Sequence, residues 1–238
     1  MCGVLTMLAT APALAQTYTV LHSFTGGDDG GQPTAGLTID REENLYGTAD
    51  MGGYTGEQCS LGCGVVFKLT HMNSGWVFSS LYRFHGPDGQ TPEARVVFGP
   101  DGALYGTTNA GGTEGQGVVF RLSPPARICA HVSCPWTETV LHSFGASGGG
   151  VRPGNGDLVF DQAGNIYGTT FDGGSYGNGA VYEISPSNGV WAESIIYSFR
   201  GTSEDGEEPT AGVILDNAEN LYGTTLVSRP DDAGTVYR

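Results

Sequence analysis

Glu93, Arg95, Asn155 and Asp157 are the residues of this chain best placed to do chemistry, because they break a pattern kept elsewhere. Four short segments open on proline: PTAGLTID at Pro33, PEARVVFG at Pro92, PGNGDLVFD at Pro153 and PTAGVILD at Pro209. Glu93 and Arg95 stand where the first and last segments carry Thr and Gly, and Asn155 and Asp157 lie near the same level of the third. Glu93, Asn155 and Asp157 are oxygen donors of the kind that hold Ca²⁺ or another hard divalent cation. Two carboxylates at suitable separation could also serve glycoside hydrolysis, and one beside a metal-bound water could act as its base. The plain structural use of the same residues is a Glu93–Arg95 pair and an Asp157 turn cap.

Acidic residues also crowd the loops that precede these segments. Asp28, Asp29, Asp88, Glu204, Asp205, Glu207 and Glu208 fall there. Gathered at one end of the molecule, they would focus a negative potential that attracts cations; scattered, they keep a lysine-poor surface solvated. The runs GGDDGG and GPDGQ lack the alternating ladder and distal Glu of a calcium loop. Asp50, Asn109 and Asp172 read as turn formers, since Asx side chains bond locally to backbone. His22 and His142 share a slot with Tyr82 and Tyr197, which points to a structural position with one polar tip. No G-x-S-x-G elbow is present, so a serine triad has no anchor.

The elements that must position these residues come from an internal repeat. DREENLYGTADMGG, GPDGALYGTTNAGG, DQAGNIYGTTFDGG and DNAENLYGTTLVSR align on Tyr46, Tyr105, Tyr167 and Tyr222. Aromatic runs ending at Phe24, Phe84, Phe144 and Phe199 lie upstream, and GVVFKL, GVVFRL, GAVYEI and GTVYR follow. Each unit thus holds four short runs rich in β-branched and aromatic residues between turn signals, which is strand chemistry. Four strands per unit, repeated, predict an all-β β-propeller of four-stranded blades. The units span about 17–75, 76–135, 136–190 and 191–238. With the Pro-led strand innermost, the opening aromatic strand is the outer strand that the last blade lacks. Pairing the two would close a four-blade ring; the other reading is part of a larger ring. The recurring Tyr reads as inter-blade packing, and the Gly after it as a site of close backbone approach.

The Leu-Tyr-Gly-Thr-Thr-x-x-Gly-Gly core and the Gly-Val-Val-Phe-x-Leu strand resemble the GloVer-type tandem repeats of bacterial secreted or surface proteins. More distantly, P-x-G-x-x-x-D-x-x-G-N-L-Y resembles NHL and gluconolactonase-like propellers. The resemblance spans roughly residues 18 to 238. It implies export and a repeat array, and brings no catalytic residue with it.

Composition narrows the function. Glycine supplies 40 of 238 residues, far above the usual share of about 7%, while aromatics along the chain argue against disorder. The net charge is −15 and Lys68 is the only lysine, which excludes ordinary nucleic-acid binding and disfavours anionic membranes. The apolar run Val4 to Leu14, with the small-x-small pattern of a cleavage site at Ala13-Leu14-Ala15 before Gln16, reads as a signal peptide over 1–15. The positive stretch that usually precedes such a run is missing, as it would be if the chain began further upstream; a buried strand is the alternative. No later run is long enough to span a membrane. In an exported chain, Cys59–Cys63 and Cys129–Cys134 read as two short-loop disulfides, with a four-cysteine zinc site as the competing assignment.

These observations together predict a secreted, periplasmic or surface protein. It binds a glycan, a cell-surface polymer or a protein partner, with no need of catalysis. Asp28, Asp29, Asp88, Glu93, Arg95, Asn155, Asp157 and Asp205 are the expected ligand contacts. The alternative is a hydrolase acting on sugars or lactones, with a divalent cation on Glu93, Asn155 and Asp157.

Overall fold

The computed structural model describes residues 17–125, 136–145, 149–187, 189–229 and 233–238. It is all-β, with every strand pair antiparallel and no helix among the described residues. The first blade orders β1 (Thr38–Ile39), β2 (Leu45–Ala49), β3 (Val65–Met72) and β4 (Gly75–Arg83). The second orders β5 (Val97–Phe98), β6 (Leu104–Thr108), β7 (Val118–Ser123) and β8 (Thr137–Ser143). In the third, β10 (Val159–Phe160), β11 (Ile166–Gly173), β12 (Ala180–Ser187) and β13 (Val190–Ser198) are joined by β9 (Gly150–Pro153), which pairs β11. The fourth holds β14 (Ile214–Leu215), β15 (Leu221–Thr225) and β16 (Thr235–Tyr237). Each blade therefore runs Pro-led strand, Tyr-Gly-Thr strand, Gly-Val-Val-Phe strand, aromatic strand. Blades are offset by one strand from the sequence units.

One hairpin lock recurs in three blades, and the second blade, with Gly99 in the Asp slot, builds a substitute from Asp101. Asp40 accepts hydrogen bonds from the Asn44 backbone and side chain, both 2.8 Å, and from the Tyr46 hydroxyl at 2.9 Å. Asp161 does the same with Asn165 and Tyr167, and Asp216 with Asn220 and Tyr222. Asp101 takes Tyr105 and uses Arg121 in place of the missing Asn. Burial pushes the Asp40 and Asp161 carboxyls up, but the Asn and Tyr bonds outweigh it and hold both below the usual range.

The tyrosine rings do the inter-blade work. Tyr46 meets Phe98 edge-on at 5.2 Å and Tyr105 meets Phe160 at 5.0 Å, each ring reaching the next blade. Aromatic strand ends follow suit: Phe84 on Phe120, Phe144 on Tyr182 and Phe199 on Tyr237, all near 5 Å. The core is accordingly a series of inter-blade clusters, between blades one and two, two and three, and three and four. The Gly after each Tyr serves a different purpose from the one expected. A Cβ at Gly106 would lie 2.6 Å from Phe120 Cζ, its cross-strand partner. What needs the room is an aromatic ring within the blade, and no neighbouring backbone is involved.

The opening run TVLHSF forms no strand. Leu21 and Phe24 instead lie on blade one against Ala49, Val65 and Phe67. The Cys59–Cys63 disulfide is formed, closing a short loop after β2. Cys129 and Cys134, and the signal region, lie outside the described residues.

Candidate functional site

Two loop sets, those before the Pro-led strands and those after Tyr-Gly-Thr, pair with each other and so share one edge of every blade. Gly31 bridges Met51, Gln90 bridges Ala110 and Glu207 bridges Val227. In the third blade the pairing lengthens into β9 on β11. The residue before each proline (Gln32, Thr91, Arg152, Glu208) has φ between 52° and 58°, a region costly for a side chain. Backbone bonds to the preceding blade hold three of these in place: Thr91 N to Cys63 O, Arg152 N to Gln116 O, and Glu208 N to Asn178 O.

Most of the loop acids lock turns. Asp88 accepts from the Tyr82 hydroxyl at 2.6 Å and the His85 amide at 2.7 Å. Asp205 is held in the same way by Tyr197 and the Arg200 amide, and Asp29 by His22 and Thr25. The slot that takes His or Tyr is therefore one whose polar tip reaches the turn carboxylate. Burial raises the Asp29 carboxyl, yet the Thr25 and His22 bonds prevail and it sits below its ordinary value. In the third unit, which has no such Asp, His142 Nε2 lies 3.4 Å from Glu193, and Glu193 accepts from the Gly150 amide instead. Asp28 makes an exposed ion pair with Arg83 at 3.1 Å, and Glu207 is buried with Arg229 on it at 2.8 Å.

A cleft of about 230 Å³ opens where blades two, three and four bring these edges together. Glu93, Asn109, Arg152, Asn155, Phe171 and Thr210 line it. Glu93 accepts from Asn109 Nδ2 at 2.8 Å. Arg152 donates from Nε to Asp172 at 2.6 Å while its guanidinium lies 5.2 Å from the centre of the Phe171 ring. Near Glu93, on the first blade, Asp50 is buried with Oδ1 unpartnered. Burial, then the Glu93 charge, raises the Asp50 carboxyl above its ordinary value.

Of the residues expected from sequence, Glu93 and Asn155 line this cleft. Asp157 instead accepts from Arg95 Nε at 3.0 Å, so Arg95 pairs with the next blade's Asp157 rather than with Glu93. Among the described residues no group of three His, Cys, Asp or Glu side chains stands together as a metal site.

The cleft lining comes from four repeat slots, one of them two after the proline, where Asn155 replaces the Ala of the other copies; the remaining three vary from copy to copy. One precedes the proline, one follows it, and one follows Tyr-Gly-Thr-Thr (Asp50, Asn109, Phe171, Leu226). The sequence pattern of the Gloeobacter/Verrucomicrobia repeat matches residues 3–156. The chain belongs to that repeat family. No curated protein matches it in sequence. Among solved structures, an oxidoreductase (glucose dehydrogenase) from Thermus thermophilus is 15% identical, covering 87% of this chain and 83% of that one, with a TM-score of 0.35. A likeness so slight bears on neither fold nor activity, and the fold rests on the strand pairing itself. The four copies within the chain share the frame, and the varying slots are where they differ from one another.

Sequence reasoning missed Asn109, Arg152, Phe171 and Thr210. The signal was present: each occupies a variable slot directly beside an invariant motif.

Proposed function

We propose that this chain is an exported β-propeller repeat protein that binds a glycan or cell-surface polymer at the Glu93–Asn155 cleft, without catalysis. The observation that carries the reading is the cleft lining. An amide pair, a carboxylate, a hydroxyl and an aromatic ring line it, with the Arg152 guanidinium held beside them by Asp172. Such a set can donate to and accept from sugar hydroxyls while the ring covers an apolar sugar face. At about 230 Å³ the cleft is smaller than the roughly 300–1,000 Å³ of sites that enclose drug-sized ligands. It suits one sugar residue of a longer polymer, with the remainder lying across the loop edge. Few acids of that edge are left to meet a ligand, because Asp29, Asp88 and Asp205 are committed to turns.

A glycan array probed with the purified chain tests this, followed by titration of the hits and assay of the same sugars and of sugar lactones for hydrolysis. The expected result is saturable binding with no turnover, unchanged by chelator. Turnover that chelator abolishes would replace the reading with the hydrolase alternative.

A further inference from the structure

The positive charges around the Glu93–Asn155 cleft are matched within the chain, and its negative charge is not. Arg152, the basic residue of the lining, gives both Nε and Nη2 to Asp172. Arg95, two residues from Glu93, pairs with Asp157. Glu93 receives a single hydrogen bond, from Asn109 Nδ2 at 2.8 Å. Among the described residues no basic side chain pairs with it.

Asp50 adds a second unmatched acid beside the first. On blade one it holds the repeat slot that Asn109 and Phe171 fill in the cleft wall. It is only 7% exposed, and its Oδ1 has no partner. Burial, then the charge of Glu93, raises its carboxyl, so the two acids meet across the join of blades one and two. The frame asks for neither of them. The other copies carry Thr34, Gly154 and Thr210 in the Glu93 slot, and Asn109, Phe171 and Leu226 in the Asp50 slot, all neutral. Charge withdrawn from water without a partner is costly, and here it is placed in two slots that fold without it.

A cationic ligand supplies the missing partner. A hard metal ion takes roughly six to eight oxygen ligands, whereas the lining offers one carboxylate, two amides and a hydroxyl. An ammonium group needs only three acceptors and brings no lone pair of its own. Glu93 with the amide oxygens of Asn109 and Asn155 makes up that number.

We infer that, within the glycan-binding reading on which this rests, the cleft takes an amino sugar with a free amine. The ammonium sits on Glu93, and Asp50 stands behind as a second negative charge. Hydrogen bonds to ionised groups are roughly twice as strong as those between neutral ones, so the amine sets the preference and the hydroxyls add to it. Acetylation of the amine removes the charge and with it the preference.

The test titrates short β-1,4-linked oligomers of glucosamine, N-acetylglucosamine and glucose, equal in length, in a mildly acidic buffer, with calcium chloride titrated separately. The glucosamine oligomer is expected to bind at least about tenfold more tightly than the other two. Glu93→Gln, which keeps an acceptor for Asn109, should erase that preference, and Asp50→Asn should narrow it. Glu42→Gln, an exposed acid in the β1–β2 hairpin at the opposite end of blade one, should leave it intact. Equal binding of the three oligomers, or array hits confined to sugars without an amine, overturns the inference and leaves the glycan reading standing; an array with no hits removes both. A preference that Glu42→Gln reduces as much as Glu93→Gln marks the general attraction of a chain of net charge −15 and overturns it. Calcium binding lost in Glu93→Gln, with no preference among the sugars, overturns it in favour of a metal site.

Discussion

The turn at Asp88 and the cleft edge at Glu93 sit on the same loop, a few residues apart, and their carboxylates are in opposite conditions. Asp88 is bonded by Tyr82 and His85 in an arrangement repeated at Asp29 and Asp205. Glu93 has one amide bond, faces open space, and lies near Asp50, whose Oδ1 is unpartnered. The difference teaches that the recurring turn carboxylates maintain the frame, whereas of the residues that depart from the repeat Arg95 and Asp157 pair with each other and Glu93 and Asn155 face the cleft. Frame variants should therefore cost stability and spare binding, and cleft variants should do the reverse.

The largest stability effect is expected at the frame position Gly106. Gly106→Ala places a methyl 2.6 Å from the Phe120 ring, and overpacking of this kind costs roughly 1–3 kcal/mol, read by chemical denaturation. Next is Glu138, a half-buried carboxyl with Oε1 unpartnered, pushed up to about 7 by burial and then by the Asp88 charge. Its folded-state value lies above its unfolded one, so the stability it adds is full below about pH 4.5 and is lost as pH rises through 7. After discounting for its partial exposure, Glu138 should make the chain about 1–2 kcal/mol more stable at pH 5 than at pH 8. Glu138→Gln should flatten that slope in paired melts. Asp88→Asn, which weakens the bonds from Tyr82 and His85, should cost about 1 kcal/mol. Asp28→Asn, which touches only an exposed ion pair, should stay within about 0.5 kcal/mol of wild type. Loss of more stability at Asp28 than at Asp88 would break the comparison.

The frame was legible in the sequence because repetition multiplies each signal. Tyr46 and its three counterparts could be read as one packing device seen four times, whereas the Asp that bonds each hydroxyl was not read. The strand order followed from where proline and the aromatics fall. The cleft was legible only in part. Glu93 and Asn155 stood out as departures, but Asn109 looked like one more turn former and Arg152 like one more loop residue. That Phe171 and Thr210 come from separate blades to join them is a fact of blade packing, which no local spacing records. Asp29, Asp88 and Asp205 were read as ligand contacts because sequence does not show that a His or Tyr tip from the preceding strand reaches back to them. Likewise Asp157 was grouped with Glu93, although the side chain it meets, Arg95, lies one blade away.

The most direct test of the central claim compares binding of one array-selected glycan by wild type, Glu93→Gln with Asn155→Ala, and Asp88→Asn, all confirmed folded by circular dichroism. The account predicts that the cleft double variant loses binding at least about tenfold, a change of some 1.4 kcal/mol, while Asp88→Asn binds as wild type does. Binding retained by the cleft variant and lost with Asp88 would contradict it, placing recognition in the repeated turns instead.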